Sequence, residues 1–208
     1  MLPPDILILF VAASTMLAVA PGPDNLYVLS QSALHGWRTG VAITLGLCTG
    51  LVVHVAAVAL GIAAVLKTSA LMFTALKLLG AAYLLYLAWQ AFRAGGAQLT
   101  IERQPRQALA ALYLRGIVMN VTNPKVAIFF LAFLPQFVDP ARGPAGWQLL
   151  ALGGVFMLTA LVIFCSIAWG AARLGGWLHR SPRAVVAINR LTGSIFVLLA
   201  GRLLLTEN

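Results

Sequence analysis

Six long apolar runs, each about the length needed to cross a bilayer, constrain this chain more than any other feature. They cover roughly residues 6–33, 40–66, 69–92, 113–137, 147–172 and 184–205. A helix needs about 20 consecutive apolar residues to span about 30 Å of hydrocarbon. Because 61% of the 208 residues are hydrophobic and only 9% are charged, a soluble domain is excluded. The sequence predicts an all-α polytopic membrane protein with six transmembrane helices.

The basic residues lie mainly in short connections, and their distribution predicts the orientation. A net charge of +9 without a basic patch does not indicate a nucleic-acid partner. The connections after the first, third and fifth runs carry Arg38, Arg93, Arg103, Arg106, Arg115, Arg173, Arg180 and Arg183, and the opposite side carries Lys67, Arg142 and Arg202. The first group is expected to be cytoplasmic, which places both termini outside the cytoplasm.

The two halves of the chain resemble each other. The segment "PDN" at 23–25 corresponds to "PKV" at 124–126, and "KLLGAAYLLYLA" at 77–88 corresponds to "RLTGSIFVLLAG" at 190–201. Because each half has three runs, an odd number, the second half enters the membrane from the opposite face. Such an arrangement is an inverted repeat, which is typical of transporters. We therefore predict one three-helix repeat at 1–92, a cytoplasmic connecting loop at 93–112 and a second repeat at 113–208.

The first run of each half is interrupted by proline. In "PGPDN", Pro21 and Pro23 remove backbone donors, Gly22 permits the positive φ at which helices stop, and a new helix can begin at Pro23. In "VTNPK", Asn123 suits the N-cap and Pro124 the first helical position. Broken helices survive in lipid only when they are buried or line a wet cavity. Both breaks are therefore expected to place a helix N-terminus beside a shared cavity.

The residues that follow the two breaks carry opposite charges. Asp24 and Asn25 would form an acidic pole, whereas Lys125 adds charge to an already positive helix end. Such a site complements a zwitterion, with an ammonium group near Asp24 and a carboxylate near Lys125 and the free amides after Asn123. Asp24 is also the candidate proton-coupling group, because a buried carboxylate can bind either a proton or a cation. The alternative is a structural ion pair in which the prolines serve only packing.

Other residues are weaker candidates for the site. Asn120 lies one turn before Asn123, and His54, Lys77 and Arg190 lie within apolar runs, where local structure or snorkelling also accounts for them. Cys48 and Cys165 are expected to be packing residues, and no spacing predicts a metal site or a cofactor. The pairs Gly36 with Gly40 and Gly46 with Gly50 suggest close helix packing and permit a homodimer without requiring one.

The chain resembles the LysE/RhtB family of bacterial lysine and homoserine/threonine exporters. The residues that carry the resemblance are "PGPDNLYVLSQSALHGWRTG" at 21–40, "KLLGAAYLLYLAWQAF" at 77–92, "GIVMNVTNPKVAIFFLAFLPQFV" at 116–138 and "NRLTGSIFVLLAGRLLL" at 189–205. The resemblance implies six helices in the bacterial cytoplasmic (inner) membrane and proton-driven efflux of amino acids or derivatives. It maps the family's motifs onto Pro21, Gly22, Pro23, Asp24 and Asn25, and onto Asn120, Asn123, Pro124 and Lys125.

Asp24 is the only acid within the apolar runs, which favours a neutral substrate such as homoserine, threonine or leucine over lysine. Three other classes stay open. An exporter of metal or other small cations would need clustered ligands, and an intramembrane enzyme would need a nucleophile and base at depth. A channel is disfavoured because the chain has an inverted repeat and because its sequence shows no obvious polar stripe that would line a pore. The favoured partners are a small amino acid, protons and the lipid bilayer.

Overall fold

The computed structural model describes residues 3–20, 22–65, 70–93, 105–178 and 182–205, and its regular structure within these ranges is entirely helical. The α-helices are α1 (Pro4–Val19), α2 (Pro23–His35), α3 (Trp37–Val65), α4 (Ala70–Arg93), α5 (Leu109–Val121), α6 (Pro124–Ile128), α7 (Ala145–Leu178) and α8 (Pro182–Leu205). The helix that begins at α6 continues through a π-helical turn, Phe129–Phe133, and a 3-10 turn, Leu134–Phe137. A separate 3-10 turn covers Pro140–Arg142.

Both predicted interruptions are present as bent helix pairs. The axes of α1 and α2 differ by 61°, and α5 is inclined by 49° to the segment Pro124–Phe137. Within the described ranges, Trp37–Gly61 and Ala145–Arg173 are long and apolar enough to cross a membrane, and each bent pair counts as one further span. The protein is thus a multi-pass membrane protein, and its described residues contain two to four such spans. For α4 and α8 membrane crossing stays a prediction.

The predicted connection at 93–112 is too long at both ends. Arg93 ends α4, and α5 begins at Leu109 rather than at 113, since "LAALYLRG" consists mostly of good helix formers. Arg115, which we assigned to the connection, therefore lies within α5. Residues 94–104 lie outside the described ranges, as do the predicted topology residues Lys67, Arg103 and Arg180.

The centre of the fold is α3, which packs against α5 and α7, while α4 packs against α8 and α2 against α7. Glycines bring α3 and α5 together, because a Cβ atom added at Gly46 would overlap the carbonyl oxygen of Tyr113. At Gly50, an added Cβ would lie 2.8 Å from Cβ of Asn120. The second glycine pair thus serves packing within one chain, which removes the reason for assigning it to a dimer.

Gly36 has a different role from the one predicted. It forms the turn between α2 and α3 with φ of +93°, and an added Cβ would meet no atom within 4 Å. A positive φ is strained for residues with a side chain, so this turn favours glycine for its backbone rather than for packing. Gly40, in contrast, does lie against a neighbour, since its added Cβ would be 2.6 Å from Cβ of Ala168.

A cluster of phenylalanine rings follows the second break. Phe129, Phe133 and Phe137 are buried, and neighbouring rings along this series have centroids 4.9 and 5.1 Å apart. Phe156 from α7 packs on Phe129 at 5.3 Å, and Phe10 from α1 packs on Phe137 at 5.1 Å. These contacts hold the π-helical turn between α1 and α7, directly after the predicted site.

Candidate substrate site at two helix breaks

The second break has the local geometry that its sequence predicts. Asn123 is the N-cap of α6, and its Oδ1 accepts a hydrogen bond of 3.0 Å from the backbone N–H of Lys125. Pro124 occupies the first helical position, where its missing N–H removes no helical hydrogen bond. The cap therefore already uses one of the amides that we expected to be free for a substrate carboxylate.

The first break differs in the conformation of Gly22 from what its sequence suggested. Its φ of −172° and ψ of 175° describe extended backbone, so Gly22 does not use the positive φ that glycine permits. A Cβ atom added at Gly22 would lie 3.0 Å from Nζ of Lys125. Glycine is thus favoured here because a cationic side chain passes close to the backbone. The start of α2 at Pro23 is as predicted, and Pro21 lies outside the described residues.

A direct hydrogen bond joins the two breaks. Nδ2 of Asn123 donates to Oδ2 of Asp24 over 2.8 Å, although the two residues are 99 positions apart. Asp24 is 2% exposed and Lys125 is 7% exposed, so both charged side chains are buried within the bundle. Buried ionisable groups in membrane helices are costly and usually functional.

Lys125 does not form the direct ion pair that the structural alternative requires. Its Nζ donates to the carbonyl oxygens of Ala20, at 2.9 Å, and Leu17, at 3.4 Å. Both carbonyls lie at the C-terminal end of α1, where backbone acceptors lack helical partners and the helix dipole is negative. Among the described residues, the one ion pair within 4.0 Å joins Arg142 to Asp139. The acidic and basic groups of the site are thus held apart.

Three buried side-chain oxygens beside the breaks have no hydrogen-bond partner in the described part of the chain. They are Oδ1 of Asp24, of Asn25 and of Asn120. Asn25 uses its Nδ2 to donate to the carbonyl of Ala18 at 2.5 Å. These acceptor oxygens are therefore available to a further hydrogen-bond donor.

Asp24, Asn120 and Lys125 line a cavity of about 20 Å³, which is room for about one water molecule. The remaining lining is apolar and comes mostly from α3 and α7. An amino acid is much larger than this space.

The secondary candidates separate into one residue next to the site and two away from it. Nε2 of His54 lies 3.0 Å from the carbonyl oxygen of Asn120, so His54 contacts the neighbouring helix and not the cavity. Lys77 is half-buried on α4 and Arg190 is exposed on α8, and neither lines the cavity.

Sequence reasoning missed the backbone carbonyls of Leu17, Ala18 and Ala20, which hold Lys125 and Asn25. Every residue has a carbonyl, so residue identity carried no signal for them. The break after α1 was the only available pointer, because it leaves the last carbonyls of that helix unpaired.

The chain matches the LysE type translocator family over residues 15–207. It is 35% identical over 194 residues to the "Homoserine/homoserine lactone efflux protein" of Salmonella typhimurium, covering 93% of each chain. It is 34% identical over 190 residues to an "Uncharacterized membrane protein" of Vibrio cholerae, covering 90% of this chain and 91% of the relative. Identity to the "Leucine efflux protein" of Enterobacter sp. is 27% over 204 residues, covering 93% and 92%.

No solved structure matches the chain. The family match covers more than nine-tenths of the sequence and includes both helix breaks. The chain therefore belongs to the LysE type translocator family, whose members are transporters and not enzymes.

Proposed function

We propose that this protein exports neutral amino acids or their derivatives through the cavity between the two helix breaks. The observation that carries this proposal is the pair of unpartnered acceptor oxygens at the cavity, Oδ1 of Asp24 and Oδ1 of Asn120. An ammonium group has three N–H donors and no acceptor, so it supplies what these oxygens lack. Efflux of homoserine or leucine is named for relatives of this chain and supports the same substrate class.

Charge balance favours a zwitterion over a cation. The site holds one carboxylate, Asp24, and one ammonium, Lys125, so it is neutral when both are ionised. A zwitterion keeps the site neutral, whereas a cationic substrate would leave a net positive charge in a medium of low dielectric constant. Two N–H groups of Lys125 are used by the α1 carbonyls, which leaves one to donate to a substrate carboxylate.

Asp24 would couple export to proton entry. In this mechanism the Asp24 carboxylate binds the substrate ammonium from the cytoplasmic side and releases it outside. The carboxylate then takes up a proton from outside, and it releases that proton to the cytoplasm after the site has returned. Substrate and proton compete for the same oxygen atoms, so the two are never bound together. The hydrogen bond from Asn123 would keep the carboxylate within the cavity in both states.

The predicted membrane arrangement belongs to the same proposal. Arg38, Arg93, Arg115 and Arg173, all from the group that we expect to be cytoplasmic, stack on the rings of Trp37, Trp89, Tyr27 and Trp169. Tryptophan and tyrosine are enriched at membrane interfaces, and arginine is enriched in cytoplasmic connections; Trp37, Trp89 and Trp169 are exposed. These pairs support a cytoplasmic boundary there. The proposal further places both termini outside, six spans in the inner membrane, and inverted repeats at 1–92 and 113–208.

Counterflow in proteoliposomes tests the function. Vesicles preloaded with one unlabelled amino acid should accumulate the same labelled amino acid, and a panel of competitors at two pH values should reveal the substrate class. Export coupled to protons should respond to an imposed pH gradient. Absence of competition by every amino acid in the panel would overturn the proposal.

A further inference from the structure

The cavity has polar and apolar lining. Its charged and amide side chains come from the broken segments, namely Asp24 on α2, Asn120 on α5 and Lys125 on α6. The broken segments also add the apolar Leu17, Ala18 and Val126. The two unbroken helices add an apolar wall made of Leu47 and Leu51 on α3 and of Phe156, Ala160 and Phe164 on α7. We infer that this wall is the side-chain subsite, and that it selects an apolar amino-acid side chain over a hydroxylated one of equal size.

This inference rests on the proposed function and adds the substrate's side-chain class to it. If the ammonium and carboxylate groups face Asp24 and Lys125, most of the apolar lining left for the side chain belongs to α3 and α7. All five wall residues are buried, with exposed fractions from 1% to 7%. Helices α3 and α7 pack directly against each other, so the wall is formed without the broken helices.

The wall offers little to a substrate hydroxyl group. The one polar atom that α3 or α7 adds to the lining is the thiol of Cys48, whose Sγ lies 3.9 Å from the carbonyl oxygen of Met157. Thr44 and Thr159 lie on the same two helices but do not line the cavity, and their hydroxyls donate to the carbonyls of Gly40 at 2.8 Å and Val155 at 2.9 Å. A buried hydroxyl without a partner is unfavourable.

The expected discrimination is moderate. An apolar pocket rejects an isostere that adds a hydroxyl by roughly 10- to 100-fold. Norvaline and homoserine form such a pair, since a terminal methyl group replaces a hydroxyl, and valine and threonine form a second pair. Size, charge and backbone are matched within each pair, so the difference reports on the wall alone.

Competition in the counterflow assay tests the inference. Norvaline should inhibit uptake of a labelled neutral amino acid at roughly one-tenth of the concentration that homoserine requires, or less. Valine should likewise inhibit at a lower concentration than threonine. Homoserine equal to or better than norvaline would overturn the inference while leaving the proposed function intact. Transport of no amino acid at all would instead contradict the proposed function.

A variant pair locates the selectivity on the wall. Ala160→Ser adds one oxygen atom to the lining and should move the norvaline-to-homoserine ratio several-fold towards homoserine. Ala151→Ser makes the same change on an exposed face of α7 and should leave the ratio unchanged. An unchanged ratio in Ala160→Ser, with transport retained, would overturn the assignment of the wall. If Ala160→Ser does not fold, Ala160→Cys at the same position provides the smaller polar change.

Discussion

Asn123 donates a hydrogen bond from Nδ2 to Oδ2 of Asp24, and this contact ties the break between α1 and α2 to the break between α5 and α6. Oδ1 of the same Asn123 side chain caps α6 through the N–H of Lys125. One amide group thus holds both the second helix start and the carboxylate of the first.

Asp24→Asn should lower the rate of amino-acid counterflow by roughly 10- to 100-fold, because hydrogen bonds to a charged group are stronger than those to a neutral one. The new amide oxygen can still accept from Asn123, so the variant should fold, which size-exclusion chromatography in detergent checks. The pH-gradient dependence of the remaining transport should also disappear. Full export driven by a pH gradient in this variant would remove the coupling role of Asp24.

The matched control for that variant is Asp139→Asn, in the connection between Pro124–Phe137 and α7. The hydrogen bond from Arg142 holds the pKa of the Asp139 carboxyl below its ordinary value. Because the pKa of this carboxyl is lower in the folded protein than in the unfolded chain, the contact contributes its full stability above the unfolded pKa of about 3.9. This contribution is lost as the pH falls through the pKa of the folded protein. Asp139 thus stays ionised from pH 5 to 8. Transport rates across this range should be the same in Asp139→Asn and the parent, and a changed profile would place a coupling group outside the cavity.

Lys125→Met should destabilise the protein more than Asp24→Asn does. It leaves the carbonyls of Ala20 and Leu17 without their donor and leaves Asp24 as an uncompensated buried charge. Removal of one buried charge partner is strongly destabilising, and we expect the melting temperature in detergent to fall by roughly 5 °C or more.

The double variant Asp24→Asn with Lys125→Met separates these two effects. Removal of the carboxylate should restore part of the lost melting temperature, while counterflow stays absent. A double variant as unstable as Lys125→Met alone would show that the α1 carbonyls, and not the charge of Asp24, account for the loss.

Gly46→Ala should disrupt the packing of α3 on α5, since the added methyl group would overlap the backbone carbonyl of Tyr113. Backbone atoms cannot rotate away, so we expect lower yield and a lower melting temperature. Gly61→Ala, on the same helix, meets no atom within 4 Å and should be neutral or stabilising by up to about 1 kcal/mol. Equal melting temperatures for the two variants would contradict this packing.

The sequence by itself determined the membrane class, the helical fold, the positions of both breaks and the charged residues that follow them. These follow from local physics, because apolar length, proline geometry and capping preferences act within a few residues. The cap at Asn123 and the helix start at Pro23 were predictable for this reason.

Only the tertiary structure decided which groups meet. The sequence placed Asp24 and Lys125 as opposite poles, but their separation depends on the α1 carbonyls that bind Lys125, and carbonyls leave no trace in residue identity. Glycine is favoured at position 22 because the side chain of Lys125, from the other half of the protein, passes close to the backbone there. The apolar wall, too, arises from the packing of α3 on α7, because every residue in two such apolar helices is a candidate until packing selects the face.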